Sequence, residues 1–275
     1  MCRKLCMIKY YERNARMGAG LKNHTDALIF QLRVCRFGME VKMKERILYE
    51  DKEILICHKP AGIATQTGRV GQKDMVSELK NYLGGNSYLG LVHRLDQPVE
   101  GLLVFAKTPF AAKELSRQLT ADLLNKQYLA VVLGEGFPNT ETLRDYLIKD
   151  NKTNTSRVAK AEEAGAKKAK LQVKTAAYCK EEDIALLEIR LVTGRHHQIR
   201  VQLTNAGFPL LGDSKYGTEE SKRRSKETGV DNVALCACRL EFLHPKTKKK
   251  LEFEIKPEGK IFQTGPDGWE PMWKN

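Results

Sequence analysis

Between Leu91 and Lys107 the chain reads LVHRLDQPVEGLLVFAK. The part from Gly101 to Ala106 is an unbroken apolar run of strand length, the pattern of a strand covered on both faces. Thr108-Pro109 follows directly as a helix N-cap with proline in the first turn. A fold containing this stretch must therefore hold a central strand, a helix right after it, and a polar loop at the strand's start. Asp96 lies on that loop, behind His93 and Arg94 and ahead of Pro98 and Gly101. An Asp two residues before a proline is commonly only a turn former. A rigid strand behind it and cations beside it give this one the setting of a reactive carboxylate.

The neighbouring elements predict an α+β fold. Apolar runs at 47–49 and 54–57 flank Asp51-Lys52-Glu53 and predict a β-hairpin, ended by Lys59-Pro60-Ala61-Gly62. Residues 74–83 predict a short helix presenting Met75, Leu79 and Leu83, closed by Gly84-Gly85. The helix after Thr108 presents Phe110, Leu115 and Leu119, and residues 127–133 form a strand. Alternation at Ala169, Leu171, Val173 and Thr175 and at Leu187, Ile189 and Leu191 predicts an antiparallel pair. A helix over 197–206 places Ile199, Leu203 and Ala206 on one face before Gly207. Cys236, Cys238, Leu240 and Phe242 are answered by Leu251, Phe253 and Ile255, a hairpin that buries both thiols without a metal. The sum is a mixed, largely antiparallel sheet of about eight strands flanked by short helices and loops.

Residues 150–170 carry Lys152, Arg157, Lys160, Lys167, Lys168 and Lys170 without an apolar period, and are expected to form an exposed basic loop. Residues 1–43 have no sustained period and are expected to be a poorly ordered or dispensable extension, leaving 44–275 as the catalytic domain. The chain has 275 residues and a formal net charge of +13, about +6 of it in that extension, so a polyanion is the expected partner. Seven scattered cysteines without a CxxC pair give neither a disulfide framework nor a zinc spacing. No run is long and apolar enough for a membrane helix, and a cytoplasmic, monomeric protein without a membrane or an obligate protein partner is expected.

The cations available to keep Asp96 ionised and aimed are Arg94, Arg195 and Arg200. His93, His196 and His197 lack a Glu or Cys at ligand spacing, which disfavours zinc. Nucleotide, dinucleotide, serine-hydrolase and deaminase motifs are absent.

His93-Arg94-Leu95-Asp96 with residues 101–107, GLLVFAK, resembles the central motif of the RluA-type pseudouridine synthases, which modify uridines in ribosomal and transfer RNA. Lys59-Pro60-Ala61-Gly62 is similar to that family's first motif, Lys126-Gln127-Tyr128-Leu129 to its Tyr motif, and residues 194–200 (GRHHQIR) with 209–213 (PLLGD) to its third. The resemblance implies a pseudouridine synthase fold and a cofactor-free, metal-free isomerase acting on structured RNA, 23S rRNA or tRNA. Asp96 would be the nucleophile, Tyr128 would pack on the target base, and Arg200 would orient and ionise Asp96. Arg94 would fill the space of the extruded base. His93, Lys59, Arg195, His197 and Gln198 are the remaining candidate substrate or RNA contacts. Val99-Glu100 stands where the family commonly has Thr-Ser, and His196 where it commonly has Thr. The small RNA-binding domain that often precedes this catalytic domain is not recognisable in residues 1–43. The competing readings are a non-catalytic RNA-binding or ribosome-assembly factor on the same fold, and a metal-dependent nuclease.

Overall fold

The computed structural model describes residues 43–69 and 71–263. The expectation for residues 1–43 lies outside them, apart from Met43.

The strand predicted from the apolar run is β4 (Glu100–Ala106), and all seven of its residues are buried. It runs antiparallel to β2 (Ile54–Lys59) on one side and parallel to β10 (Leu235–Leu243) on the other. Two covered faces and two bonded edges are the reason its sequence tolerates no polar residue beyond Glu100. The two-residue β3 (Gly90–Leu91) also pairs with β4, against its far end. Gly101 marks the parallel seam: its φ is +137°, and a Cβ there would lie 2.5 Å from both the backbone N and the Cβ of Ala237.

The rest of the sheet is antiparallel. β1 (Ile47–Glu50) pairs with β2, and β11 (Lys250–Glu254) pairs with β10. β5 (Asn125–Leu133) joins β10 to β9 (Ile184–Leu191), which is followed by β8 (Lys167–Cys179), β6 (Glu141–Asp150) and β7 (Thr155–Ala159). The expected β8–β9 pair forms in the register that its alternation implies, with Leu171 opposite Leu191, Val173 opposite Ile189 and Thr175 opposite Leu187. Eleven strands are thus present against the eight expected.

The three additional strands are β3, β6 and β7, and β7 with the first residues of β8 lies in the stretch expected to be a basic loop. Residues 155–159 and 167–170 are strand, with half-exposed faces that leave no apolar signature. Hairpin pairing with β6 supplies what side chains do not: Leu147 faces Val158 on one edge and Lys167 on the other.

Asp74 caps α1 (Met75–Tyr82) through a capping box with Ser77. Thr108 caps α2 (Pro109–Thr120) by accepting from the Ala111 N–H, and α2 packs Ala111 and Leu115 onto a core of Ile54, Ile56, Val104 and Leu240. Phe110, expected on the inner face, is 53% exposed, because the buried face runs through Ala111, Leu115 and Gln118 instead. α3 (Gln198–Asn205) is buried from Gln198 to Leu203. A second core gathers Leu129, Val131, Leu186, Leu211, Phe262 and both Cys236 and Cys238. Burial raises both thiol pKa values, Cys238 to about 12, in keeping with packing rather than reactivity. α4 (Glu219–Glu227) and α5 (Lys260–Gln263) complete the named helices. No helix among the described residues is long and apolar enough to cross a membrane.

Candidate active site

Asp96 sits in the loop just before β4, partly open to a cleft of about 1320 Å³. Its loop is held from both ends. The Thr65 hydroxyl donates to the Leu95 carbonyl at 2.9 Å and accepts the Leu95 N–H at 3.1 Å. The Gln97 carbonyl accepts from the Gly62 N–H at 2.9 Å and from the Lys59 ammonium at 3.1 Å. Arg200, from α3, donates Nη1 to Asp96 Oδ2 at 3.0 Å while its Nε and Nη2 grip both oxygens of Asp213 at 2.7 Å. Asp213 arrives on the 209–213 segment, which bonds along β5 through Pro209, Leu210 and Leu211.

The buried Arg200–Asp213 pair sets the charge beside Asp96. Burial disfavours the Arg200 cation, yet the hydrogen bonds and charge of Asp213, with Asp96 beyond it, raise its pKa. Burial likewise opposes ionisation of Asp213, but Arg200 outweighs it and holds that carboxyl below its ordinary value. His197 lies 3.6 Å from Asp96 Oδ2 through Nε2, and its Nδ1 meets the Tyr216 hydroxyl at 2.7 Å. Burial pushes this ring down to about 4, so it stands neutral beside the carboxylate. Its φ of +53° at the start of α3 is a strained conformation, of the kind that clusters at functional sites. Tyr128, on β5, lines the same cleft; burial first, then the Asp96 charge, raises its phenol pKa. Seven Lys or Arg and two Asp line the cleft among the described residues, a surface suited to a polyanion.

A model described as RNA pseudouridylate synthase matches residues 53–205, a span that includes Asp96, Tyr128 and Arg200. The chain belongs to the RNA pseudouridylate synthase family. It is 34% identical over 213 residues to the ribosomal large subunit pseudouridine synthase C of Escherichia coli, covering 76% of this chain and 65% of that protein. The Haemophilus influenzae protein of the same name is 31% identical over 214 residues, 77% of this chain and 65% of that one. The alignments with these relatives thus span about two thirds of their length. The resemblance to the RluA-type branch is borne out. Among solved structures, human RNA pseudouridylate synthase domain containing 4 shares the fold at a TM-score of 0.65 and 22% identity, over 80% of this chain and 93% of that one. Human RNA pseudouridylate synthase domain containing 1 does so at 0.61 and 20%, over 76% and 82%.

The structure brings Asp96, Arg200, Tyr128, His197, Arg94 and Arg195 together around one cleft. Arg94 is exposed and donates to Gln66 at 2.7 Å, and exposed Arg195 donates to the Lys168 carbonyl at 2.8 Å. Three further candidate contacts are buried. Lys59 is 0% exposed, and its ammonium donates to the carbonyls of Pro60, Ile63 and Gln97, so it ties the first-motif loop to the Asp96 loop instead of meeting phosphate. Burial pushes its pKa down to about 8. Gln198 is buried and fully engaged by Thr193, Arg195, Lys170 and Gln202. His93 is buried, with Nε2 accepting the Val104 N–H at 3.3 Å, and braces the start of the Asp96 loop against β4.

The departures from the family pattern acquire roles. Val99 is buried, and the carboxylate of Glu100 accepts the N–H groups of Glu258 at 3.1 Å and Gly259 at 3.2 Å, fastening the segment after β11. His196 stacks on His197, with ring centres 3.7 Å apart, and bonds Ser156 on β7 at 2.9 Å. His58, Glu100 and Glu258 bring potential ligand atoms within 4.8 Å of one another, but Arg46 lies against Glu258 at 2.6 Å and against His58 at 3.4 Å, and already supplies the cation there.

Asp213 belonged to a quoted motif without a role, and the motif itself was the signal for it. Thr65 and Tyr216 had no sequence signal. Tyr216 bonds His197 and the Ser156 N–H and lies 5.0 Å from the Arg200 guanidinium over its ring.

Proposed function

We propose that the chain isomerises specific uridines in structured RNA to pseudouridine, with large-subunit ribosomal RNA the first substrate to test and transfer RNA the second. The observation that carries this reading is the Arg200–Asp96 bond of 3.0 Å inside a cation-lined cleft that Tyr128 also lines. The names of the relatives support ribosomal RNA as the substrate. An enzyme acting on a base must first extrude it, and Arg94, exposed at the cleft, is the residue to fill the vacated space. Tyr128 then supports the base while the Asp96 carboxylate breaks the N1–C1′ bond. The uracil turns and C1′ is joined to C5. C5 loses a proton and N1 gains one, so product and substrate are isomers, and no cofactor or metal takes part.

The test is to incubate the protein, with EDTA present, with large-subunit ribosomal and transfer RNA transcripts and map pseudouridine chemically. New pseudouridine with the native chain and none with Asp96→Asn is the expected result. No product from the native chain, or equal product from Asp96→Asn, overturns the proposal. Shortened RNA in a metal-supplemented control would reveal a nuclease instead.

A further inference from the structure

Lys126 stands two residues before Tyr128 on β5, so both side chains leave the strand on one face and their Cα atoms lie about 7 Å apart. Its backbone is clamped between Leu191 of β9 and Leu240 of β10. The residue is only 8% exposed, yet its ammonium has no hydrogen bond or ion pair among the described residues. Three other cations are engaged: Lys59 by three carbonyls, Arg200 by two carboxylates, and Lys215 by the Asn154 carbonyl.

A Cβ at Gly194 would lie 3.7 Å from Lys126 Nζ, and both residues line the cleft. His93, another neighbour, is neutral, its proton disfavoured by burial and by the Lys126 charge. Burial lowers the Lys126 pKa, and the Asp122 charge opposes this. A desolvated ammonium without a partner is costly, and an anion entering from the cleft offsets that cost. A nucleotide whose base rests on Tyr128 brings a phosphate with it, within one nucleotide's reach along the strand.

We propose that Lys126 is a phosphate-binding residue for the extruded nucleotide, its ammonium taking the backbone phosphate that flanks the base supported by Tyr128. This rests on the isomerase reading of the cleft. It makes the Lys of the Tyr motif part of substrate capture.

The probe is the Escherichia coli large-subunit ribosomal RNA transcript. Its binding to the native chain, Lys126→Gln and Lys174→Gln is measured between 50 and 200 mM salt, a range of about fourfold. Lys174, paired with Glu188 at 2.7 Å and outside the cleft lining, is the control. Loss of one phosphate contact reduces the slope of log K against log salt by about 0.7–0.9. That reduction is expected for Lys126→Gln alone. Acetylation of Lys126 in the native chain, followed by mass spectrometry, is expected to slow when RNA is bound, and this readout does not depend on the variant folding. An unchanged acetylation rate with RNA bound overturns the proposal, as does an unchanged slope in a folded Lys126→Gln. If pseudouridine still forms in those cases, the isomerase reading survives. Protection of Lys126 in a protein that forms no pseudouridine does the reverse: it supports the phosphate site and overturns the isomerase reading.

Discussion

Arg200 and Asp213 are joined by two bonds of 2.7 Å, and the fork this creates leaves Nη1 of Arg200 aimed at Asp96. Asp213 is 2% exposed and also accepts the N–H groups of Lys215 and Tyr216. The direction of the Arg200 guanidinium is therefore set from behind, and Asp96 meets a cation that is already in place. Asp213, outside the cleft lining, thus sets the direction of the guanidinium that meets Asp96.

Asp213→Asn leaves the Arg200 charge buried with one carboxylate fewer. Removing one partner of a buried pair costs about 3–5 kcal/mol, read as a lower urea midpoint. The pH dependence follows from the sign of the shift. The folded pKa of Asp213 is lowered because Arg200 outweighs burial, so its contribution is present above the unfolded value of about 3.9 and is lost as pH falls through the folded value. The native chain should lose stability over that acid window, and Asp213→Asn should lack that part of the loss. Equal acid profiles would show that the pair does not set stability there.

His93 predicts a second pH effect in a different window. Burial first, then the Lys126 charge, pushes the folded ring down to about 3, against about 6.5 in the unfolded chain. The unfolded state therefore binds a proton that the folded state does not, and stability falls as pH drops from about 6.5 towards 3, by up to about 1.4 kcal/mol per pH unit. His93→Gln has no ring to titrate. Its urea midpoint should decline less between pH 7 and pH 4.5 than that of the native chain, and an equal decline would place the titrating group elsewhere.

Glu100→Ala removes the acceptor for two backbone N–H groups at Glu258 and Gly259. Leaving such groups unmatched costs about 1–3 kcal/mol. Hydrogen exchange should accelerate at those two amides first and spread into Ile261 and Phe262, which pack into the core beside Leu129 and Cys236. Unchanged exchange at 258 and 259 would mean that Glu100 does not hold the segment.

What the sequence made legible follows from how each element is stabilised. β4 and the β8–β9 pair declare themselves because burial filters their residues on two faces or on alternate positions. β6 and β7 do not, because their cohesion is backbone pairing at a half-exposed edge. The site divides in the same way. Asp96 stood out where an apolar strand pattern breaks, Arg200 was one of three available cations paired with it only by the family resemblance, and the geometry joins the two. Lys59 was a candidate RNA contact because sequence shows a charge but not where its three donors point, and they point into the protein. Thr65 and Tyr216 act through single hydrogen bonds between segments distant in sequence, which no local spacing encodes.

Gly101→Ala tests the seam that carries the Asp96 loop. β4 and β10 meet in parallel over two residue pairs, Glu100 with Cys236 and Gly101 with Ala237. At Gly101 the φ of +137° is strained for any residue with a Cβ, and the added carbon would lie 2.5 Å from the Ala237 N and Cβ and 2.7 Å from its Cα. Strain and overpacking together should cost about 2–5 kcal/mol. Relief by separating the strands would displace the start of β4, four residues after Asp96, so activity should fall further than the unfolded fraction explains. Adding Ala237→Gly removes the Cβ contact but neither the φ strain nor the backbone contacts, and should therefore restore only part of the stability. Full rescue by Ala237→Gly would show that side-chain crowding alone, and not the backbone approach, requires glycine at this position.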